Sequence, residues 1–153
     1  MQNIWKNVID MPPVWLLIFM ALTWGQIAVY NPGAYDNALA DLSGWALIAG
    51  GLLLAFGCFR SFRRHATSIV PRNTPSELII TGPYRFSRNP IYLADAMILL
   101  GFVLLLGSVL GLALVAIFMM LIQTRFIIGE EMGMRAEFGE VFDHYCLTTR
   151  RWL

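Results

Sequence analysis

Long apolar runs alternate with short polar segments along this chain. Each run is close to the ~20 residues that an α-helix needs to cross about 30 Å of hydrocarbon. The pattern therefore predicts an all-α polytopic membrane protein in which residues 1–153 form a single membrane domain. We expect about four transmembrane helices, at residues 14–30, 42–59, 91–106 and 109–128.

Composition argues against a soluble protein. Hydrophobic residues make up 58% of the chain and charged residues only 14%. So little polar sequence is insufficient to cover four apolar helices in water.

A tight helical hairpin is predicted where the last two runs meet. Only Gly107 and Ser108 separate these runs, and a continuous helix over residues 91–128 would be about 57 Å long, too long for one crossing. We expect Gly101, Gly107 and Gly111 to let the two helix backbones of the hairpin approach closely.

The charged residues predict the orientation of the helices. The segment between the second and third runs is rich in arginine and contains one acid, Glu77, whereas the loop between the first two runs carries Asp36 and Asp41 and no base. By the positive-inside rule the arginine-rich side is cytoplasmic, so we expect both termini in the cytoplasm and a bacterial inner membrane. The arginines are Arg60, Arg63, Arg64, Arg72, Arg85 and Arg88.

The C-terminal tail, residues 129–153, has a helical pattern of another kind. Apolar side chains recur at steps of three and four residues, which is typical of one helix face, and polar side chains fall largely on the other side. We expect an amphipathic helix along the cytoplasmic surface of the membrane. The apolar face comprises Met134, Phe138, Val141, Phe142 and Tyr145, and the polar side comprises Arg135, Glu140, Asp143 and His144.

Polar side chains collect on both sides of the hairpin. Because residue 128 ends on the membrane face where residue 91 begins, loop 60–90 and tail 129–153 are expected to form one cytoplasmic pocket. The alternative is that the arginines only fix the topology and contact lipid phosphates. The loop side contributes Tyr84, Arg85, Arg88, Asn89 and Tyr92, and the tail side contributes Arg125, Glu130 and Glu131.

Asp95 lies about one turn inside the third run. A carboxylate within a membrane segment suggests a function, but Asp95 could equally pair with Arg88 or Arg125. A small proton-coupled transporter built around Asp95 therefore remains an alternative, as does a non-catalytic lipid-binding scaffold. Transport predicts that Asp95→Asn abolishes activity while Glu130 and Glu131 are dispensable.

The remaining polar residues point to structural roles. Gln26 in the first run is expected to join two helices by a hydrogen bond. Cys58 and Cys146 form no CxxC motif, and His65 and His144 stand alone, so we expect reduced thiols and no metal site.

The chain resembles the integral-membrane methyltransferases, which comprise isoprenylcysteine carboxyl methyltransferase, phospholipid N-methyltransferases and small prokaryotic relatives. The resemblance covers residues 64–153 and rests on two motifs separated by the hairpin. The first motif is residues 82–92, and the second comprises Glu130-Glu131, Phe138-Gly139, Tyr145 and Arg150-Arg151-Trp152.

The resemblance implies S-adenosylmethionine as the methyl donor, bound on the cytoplasmic side without a Rossmann domain. Asn89 stands where the isoprenylcysteine enzymes have histidine, so this position keeps hydrogen bonding but loses proton transfer. The resemblance implies that Arg88, Asn89, Pro90, Tyr92, Glu130 and Glu131 bind the cofactor, and the loop cluster adds Tyr84 and Arg85 to this expected set. The catalytic candidates are Arg125, Glu131 and Arg88.

Methyl transfer also sets the expected substrate. A carboxylate acceptor would need an arginine such as Arg125 or Arg88, whereas an amine or hydroxyl acceptor would need a base, Glu131 or Asp95. An acceptor with an apolar tail in the bilayer and a polar head at the interface is a lipid or an isoprenoid. The expected partners are the lipid bilayer and this amphiphilic small molecule, with no nucleic acid.

Overall fold

A computed structural model describes residues 11–64 and 77–153 of the chain. Every regular element in these ranges is helical, which confirms the predicted all-α polytopic membrane fold. The predictions that concern His65 and Arg72 lie outside the described residues. The α-helices are α1 (Pro12–Val29), α2 (Ala38–Arg64), α3 (Pro90–Leu105), α4 (Val109–Ile122), α5 (Ile128–Phe138) and α6 (Glu140–Thr148), with a 3-10 turn at Gly82–Arg85 and a π-turn at Gln123–Ile127.

Within the described ranges, three helices are long and apolar enough to cross a membrane: α1, α2 and the continuous helix Val109–Phe138 that joins α4 to α5. Large apolar side chains such as Trp24 and Phe56 are exposed on their outer faces, as expected for helices in lipid. The chain is therefore an integral membrane protein. The predicted span at residues 91–106 forms the shorter α3, whose 16 residues cover only about 24 Å.

Helix α3 is the centre of the bundle and packs against α1, α2 and α4. Pro90 begins this helix in the first turn, where a missing backbone N–H costs no hydrogen bond. Leu99 and Val103 on α3 are fully buried and belong to the same core cluster as Phe19 of α1 and Phe118 of α4, whose rings meet edge to face at 5.4 Å. Because α3 is covered on most sides by other helices, its sequence is almost entirely apolar although the helix is short.

The hairpin between α3 and α4 is confirmed. Gly107 turns the chain with a φ of 58°, a conformation that L side chains rarely adopt. Ser108 then caps α4, because its hydroxyl accepts a hydrogen bond of 3.0 Å from Gly111 N. The same hydroxyl donates to Gln26 Oε1 at 2.8 Å, so Gln26 joins α1 to the hairpin as expected.

Gly101 serves a different contact from the one predicted. A Cβ atom on Gly101 would lie 2.5 Å from the carbonyl oxygen of Gly44, so this glycine allows the close approach of α3 to α2 and not of α3 to α4. Gly111 does face the hairpin partner, since its Cβ would meet the side chain of Val103.

The C-terminal region is helical as predicted but is divided differently. Helix α4 continues through the π-turn into α5, so Glu130 and Glu131 belong to the continuous helix Val109–Phe138 and not to a separate surface helix. Gly139, with a φ of 52°, ends α5 and separates it from α6. Of the predicted apolar face, Phe142 and Tyr145 on α6 are buried, and Val141 is exposed.

Candidate functional site

The turn that precedes α3 is tied to α6 through two buried tyrosines. Tyr84 packs edge to face against Phe62 of α2, with ring centroids 5.9 Å apart. The hydroxyl of Tyr145 on α6 donates a hydrogen bond to the carbonyl oxygen of Tyr84. Burial raises the pKa of both tyrosine hydroxyls above the ordinary value, so both stay protonated at neutral pH.

Arg88 is bound from three sides just after this turn. Its guanidinium donates to Glu131 Oε1, with Nε at 3.2 Å and Nη2 at 3.1 Å. The remaining nitrogen, Nη1, donates to the carbonyl oxygens of Cys146 at 3.1 Å and Thr149 at 2.8 Å. The side chains of Arg88 and Glu131 are only 12% and 10% exposed, so this ion pair is largely shielded from water.

A second arginine, Arg151, completes the pairing of Glu131. Arg151 Nη2 lies 2.6 Å from Glu131 Oε2, and Arg151 Nε donates to Glu131 Oε1 at 3.1 Å. Hydrogen bonding to this carboxylate raises the pKa of Arg151. Because both oxygens of Glu131 already accept from guanidinium groups, the carboxylate is a fixed structural anion in this arrangement and has little capacity left to take a proton.

The last residues of the chain are hydrogen-bonded to the turn before α3. Arg88 N donates to Arg150 O at 2.9 Å, and Arg151 O accepts from Ser87 Oγ and from Asn89 Nδ2, both at 3.1 Å. Residues 149–153 are called the docked tail. Its Trp152 donates from Nε1 to Gln123 Oε1 at 3.0 Å, which reaches the start of the π-turn.

A separate acidic cluster lies between α3 and α5. Tyr92 donates a hydrogen bond of 2.7 Å to Glu130 Oε1. Asp95, one helical turn further along α3, has a buried carboxylate oxygen, Oδ2, with no hydrogen-bond partner within residues 11–64 and 77–153. The sequence-based alternative that Asp95 pairs with Arg88 fails, because Arg88 is bonded to Glu131.

Two of the predicted site residues lie elsewhere. Arg125 is exposed on the π-turn, with its guanidinium carbon 5.6 Å from the ring centroid of Trp15 on α1. Arg85 is exposed and lines an open groove of about 530 Å³ between the turn and α6. The other residues along this groove are Ile80, Glu140, Val141, His144, Tyr145, Thr148 and Thr149.

The structure thus brings the predicted residues together in two groups, Arg88 with Glu131 and Tyr92 with Glu130. Pro90 is buried at the start of α3, and Asn89 contacts the docked tail. Sequence reasoning did not include Ser87 or Arg151 among the site residues. The Arg150-Arg151-Trp152 triplet was the available signal for Arg151, but nothing in the sequence shows which partner it binds.

The acidic cluster has the chemistry to accept a cation. A buried carboxylate oxygen without a partner is costly, and a positively charged group would relieve that cost. S-adenosylmethionine carries a sulfonium and an ammonium group, and the carboxylates of Asp95 and Glu130, beside Tyr92, match these positive charges. No group of three or more His, Cys, Asp or Glu side chains suited to a metal ion occurs in the described ranges.

Comparison with known proteins identifies the family of this chain. A family model described as phospholipid methyltransferase matches residues 39–141, which is most of the described bundle. No curated protein and no solved structure matches the chain. The matched range includes α3, the hairpin and both acids of α5. The chain therefore belongs to the phospholipid methyltransferase family, the integral-membrane methyltransferases that include the isoprenylcysteine carboxyl methyltransferases.

Proposed function

We propose that this protein transfers a methyl group from S-adenosylmethionine to the polar head of a lipid-like or isoprenoid acceptor at the cytoplasmic membrane interface. The family supplies the reaction class, a membrane methyltransferase that acts on lipid-like substrates. The observation that carries the cofactor is the acidic cluster, in which Asp95 Oδ2 is buried without a partner beside the Tyr92–Glu130 hydrogen bond.

Tyr92, Asp95 and Glu130 would hold the methyl donor through its positive charges. The bound cofactor supplies a methyl group on a sulfonium, from which the positive charge disperses as the new bond forms. The contribution of the protein is to orient the donor and the acceptor and to exclude water, and such positioning is worth about 7–11 kcal/mol of the barrier in well-oriented reactions.

Arg88 and Glu131 have a supporting role in this proposal. Glu131 Oε1 accepts from Arg88 and Arg151 and Oε2 accepts from Arg151, so these three residues hold the turn, α5 and the docked tail together. Asn89 and Pro90 act with them, through the tail carbonyl and the start of α3. These contacts position the acidic cluster and need not touch the cofactor themselves.

The acceptor group depends on two other residues. Besides facing the donor, Asp95 would take the proton released by an amine or hydroxyl acceptor as the positive charge leaves the sulfonium, because the alternative base, Glu131, is bonded to Arg88 and Arg151. Arg125 would orient an acidic acceptor, because its guanidinium is exposed on the π-turn beside Trp15. In our proposal Arg85 lines the cytoplasmic entrance to this region, and the buried Tyr84 positions the turn that carries it. Both termini would face the cytoplasm of a bacterial inner membrane.

The direct test is S-adenosylmethionine binding to the protein in lipid nanodiscs, measured by calorimetry. We expect saturable binding that weakens by about tenfold or more in Glu130→Gln and Asp95→Asn, because each change removes a charge worth at least 1.4 kcal/mol to a bound cation. Asp41→Asn is the matched control, because Asp41 is exposed in the first turn of α2. That end of α2 packs near Gly101 and Leu105, toward the end of α3 that is remote from Tyr92.

Two outcomes would contradict the proposal. A folded wild-type protein that binds no S-adenosylmethionine would support the lipid-binding scaffold. Proton-coupled transport that is lost in Asp95→Asn and kept in Glu130→Gln would support the transporter.

A further inference from the structure

We infer that Arg151 is a positioning residue, which fixes the acid pair of α5 by holding Glu131 from the docked tail. This inference rests on the proposed function, because the purpose of the positioning is to present Glu130 to the methyl donor. In the described hydrogen bonds the side chain of Arg151 contacts Glu131 and no member of the acidic cluster. Its role in the reaction would therefore be indirect.

The first observation is the way in which Glu131 is shared. Its carboxylate accepts from Arg88, in the turn before α3, and from Arg151, in the docked tail. These arginines approach along two segments that are 63 residues apart in the sequence (151 minus 88). A carboxylate that is hydrogen-bonded to two guanidinium groups has little rotational freedom, because the N–H donors of arginine are fixed in one plane.

The second observation is that Arg151 is also held by its main chain. Its carbonyl oxygen accepts from Ser87 Oγ and Asn89 Nδ2, each at 3.1 Å. Arg151 is therefore bonded to the turn through its backbone and to α5 through its side chain. Arg151 thus joins the same two elements that Arg88 joins through its own bonds to Glu131.

The third observation is the position of Glu130 next to Glu131 on α5. Neighbouring residues on an α-helix point about 100° apart, so holding Glu131 against Arg88 and Arg151 also sets the direction of Glu130. Glu130 then meets Tyr92 at 2.7 Å. Loss of Arg151 would release one side of α5 and loosen the Tyr92–Glu130 contact while leaving the helices of the bundle in place.

The test compares Arg151→Ala, Arg151→Lys and Arg150→Ala in nanodiscs. Arg150 is the matched control, because its side chain is exposed and only its carbonyl oxygen takes part in the docking. Two quantities are measured: the affinity for S-adenosylmethionine with the split between KM and kcat, and the amide hydrogen exchange of residues 149–153 in the protein without cofactor.

We expect Arg151→Ala to weaken S-adenosylmethionine binding about tenfold, as loss of hydrogen bonds to a charged group does, with the larger effect on KM. Exchange of the docked tail should rise in the same variant. Arg151→Lys should restore part of the affinity because it keeps the charge, and Arg150→Ala should resemble the wild type in both measurements.

Unchanged affinity and unchanged tail exchange in folded Arg151→Ala would overturn the inference. Faster exchange with unchanged affinity would also overturn it, since the tail would then be docked for stability alone. If Arg151→Ala does not fold, the same comparison is made with Arg151→Lys, for which wild-type affinity and exchange together count against a positioning role. A wild-type protein that binds no S-adenosylmethionine overturns the proposed function itself, and the exchange data then still report whether Arg151 docks the tail.

Discussion

Tyr92 on α3 and Glu130 on α5 are joined by a hydrogen bond of 2.7 Å across the cytoplasmic end of the hairpin in our proposed orientation. The two residues are 38 positions apart in the sequence and meet because α4 returns the chain to the level at which α3 begins. One of them is a neutral donor and the other a carboxylate, so the bond is charge-assisted and directs Glu130 toward α3.

Removing this bond should weaken the cofactor site more than the fold. We expect Tyr92→Phe to lower the affinity for S-adenosylmethionine by about tenfold, because a hydrogen bond to a charged group contributes roughly 1.5–3 kcal/mol. Calorimetry in nanodiscs measures the change. Tyr30→Phe is the control, since Tyr30 is 66% exposed beyond the end of α1. Equal affinities in Tyr92→Phe and the wild type would remove Tyr92 from the site.

Neutralising Glu131 should destabilise the whole protein. In Glu131→Gln, Arg88 and Arg151 lose their shared anion while Arg88 stays largely buried, and breaking such a pair costs about 3 kcal/mol. Unfolding in one detergent, followed by circular dichroism, gives the free energy of unfolding. Glu137→Gln, at an exposed position of α5, should change it by less than about 0.5 kcal/mol. Similar losses in the two variants would argue against the network.

The contact between α2 and α3 should be intolerant of a single methyl group. Gly101→Ala places a Cβ atom 2.5 Å from the carbonyl oxygen of Gly44, where backbone must move, and should cost about 2–3 kcal/mol. Gly25→Ala on α1 is the control, because nothing lies within 4 Å of its Cβ position. That change should be neutral or slightly stabilising when the two variants are unfolded under the same conditions.

The hydroxyl of Ser108 should stabilise the hairpin through two bonds at once. Ser108→Ala removes the cap of α4 and the contact with Gln26, so we expect a loss of about 1–2 kcal/mol in the free energy of unfolding. Ser43→Ala, at an exposed position of α2, serves as the reference. If the two substitutions prove equivalent, the hairpin is held by packing alone.

Most of the fold was predictable because apolar runs and glycine turns are local signals. The all-α membrane class, the hairpin at Gly107-Ser108 and the family followed from the sequence and are confirmed. The length of α3 was less accessible, because hydropathy does not distinguish a short helix buried in protein from one that faces lipid. Three helices, and not four, reach the length of a span in the described part of the chain.

Pairings between distant residues could not be predicted. The sequence predicted a close approach of two helix backbones at Gly101, but a glycine does not indicate which helix comes close. The neighbouring residue is Gly44 on α2. The two acids were predicted as one unit, whereas the structure sends Glu130 to Tyr92 and Glu131 to two arginines. Such choices depend on the rotation of α5 about its own axis.

The π-turn at Gln123–Ile127 provides that rotation. A π-turn contains one residue more than an α-turn, and each residue advances a helix by about 100°. Ile122 and Phe126 are buried four residues apart, and Ile127 and Glu131 are buried four residues apart as well. The second pair is shifted by one residue relative to the first, so the buried face moves around the helix at the π-turn. Deleting one residue here would shorten the helix by only about 1.5 Å but would swing both acids away from α3. A single extra residue in this helix thus determines the direction in which the side chains of Glu130 and Glu131 point.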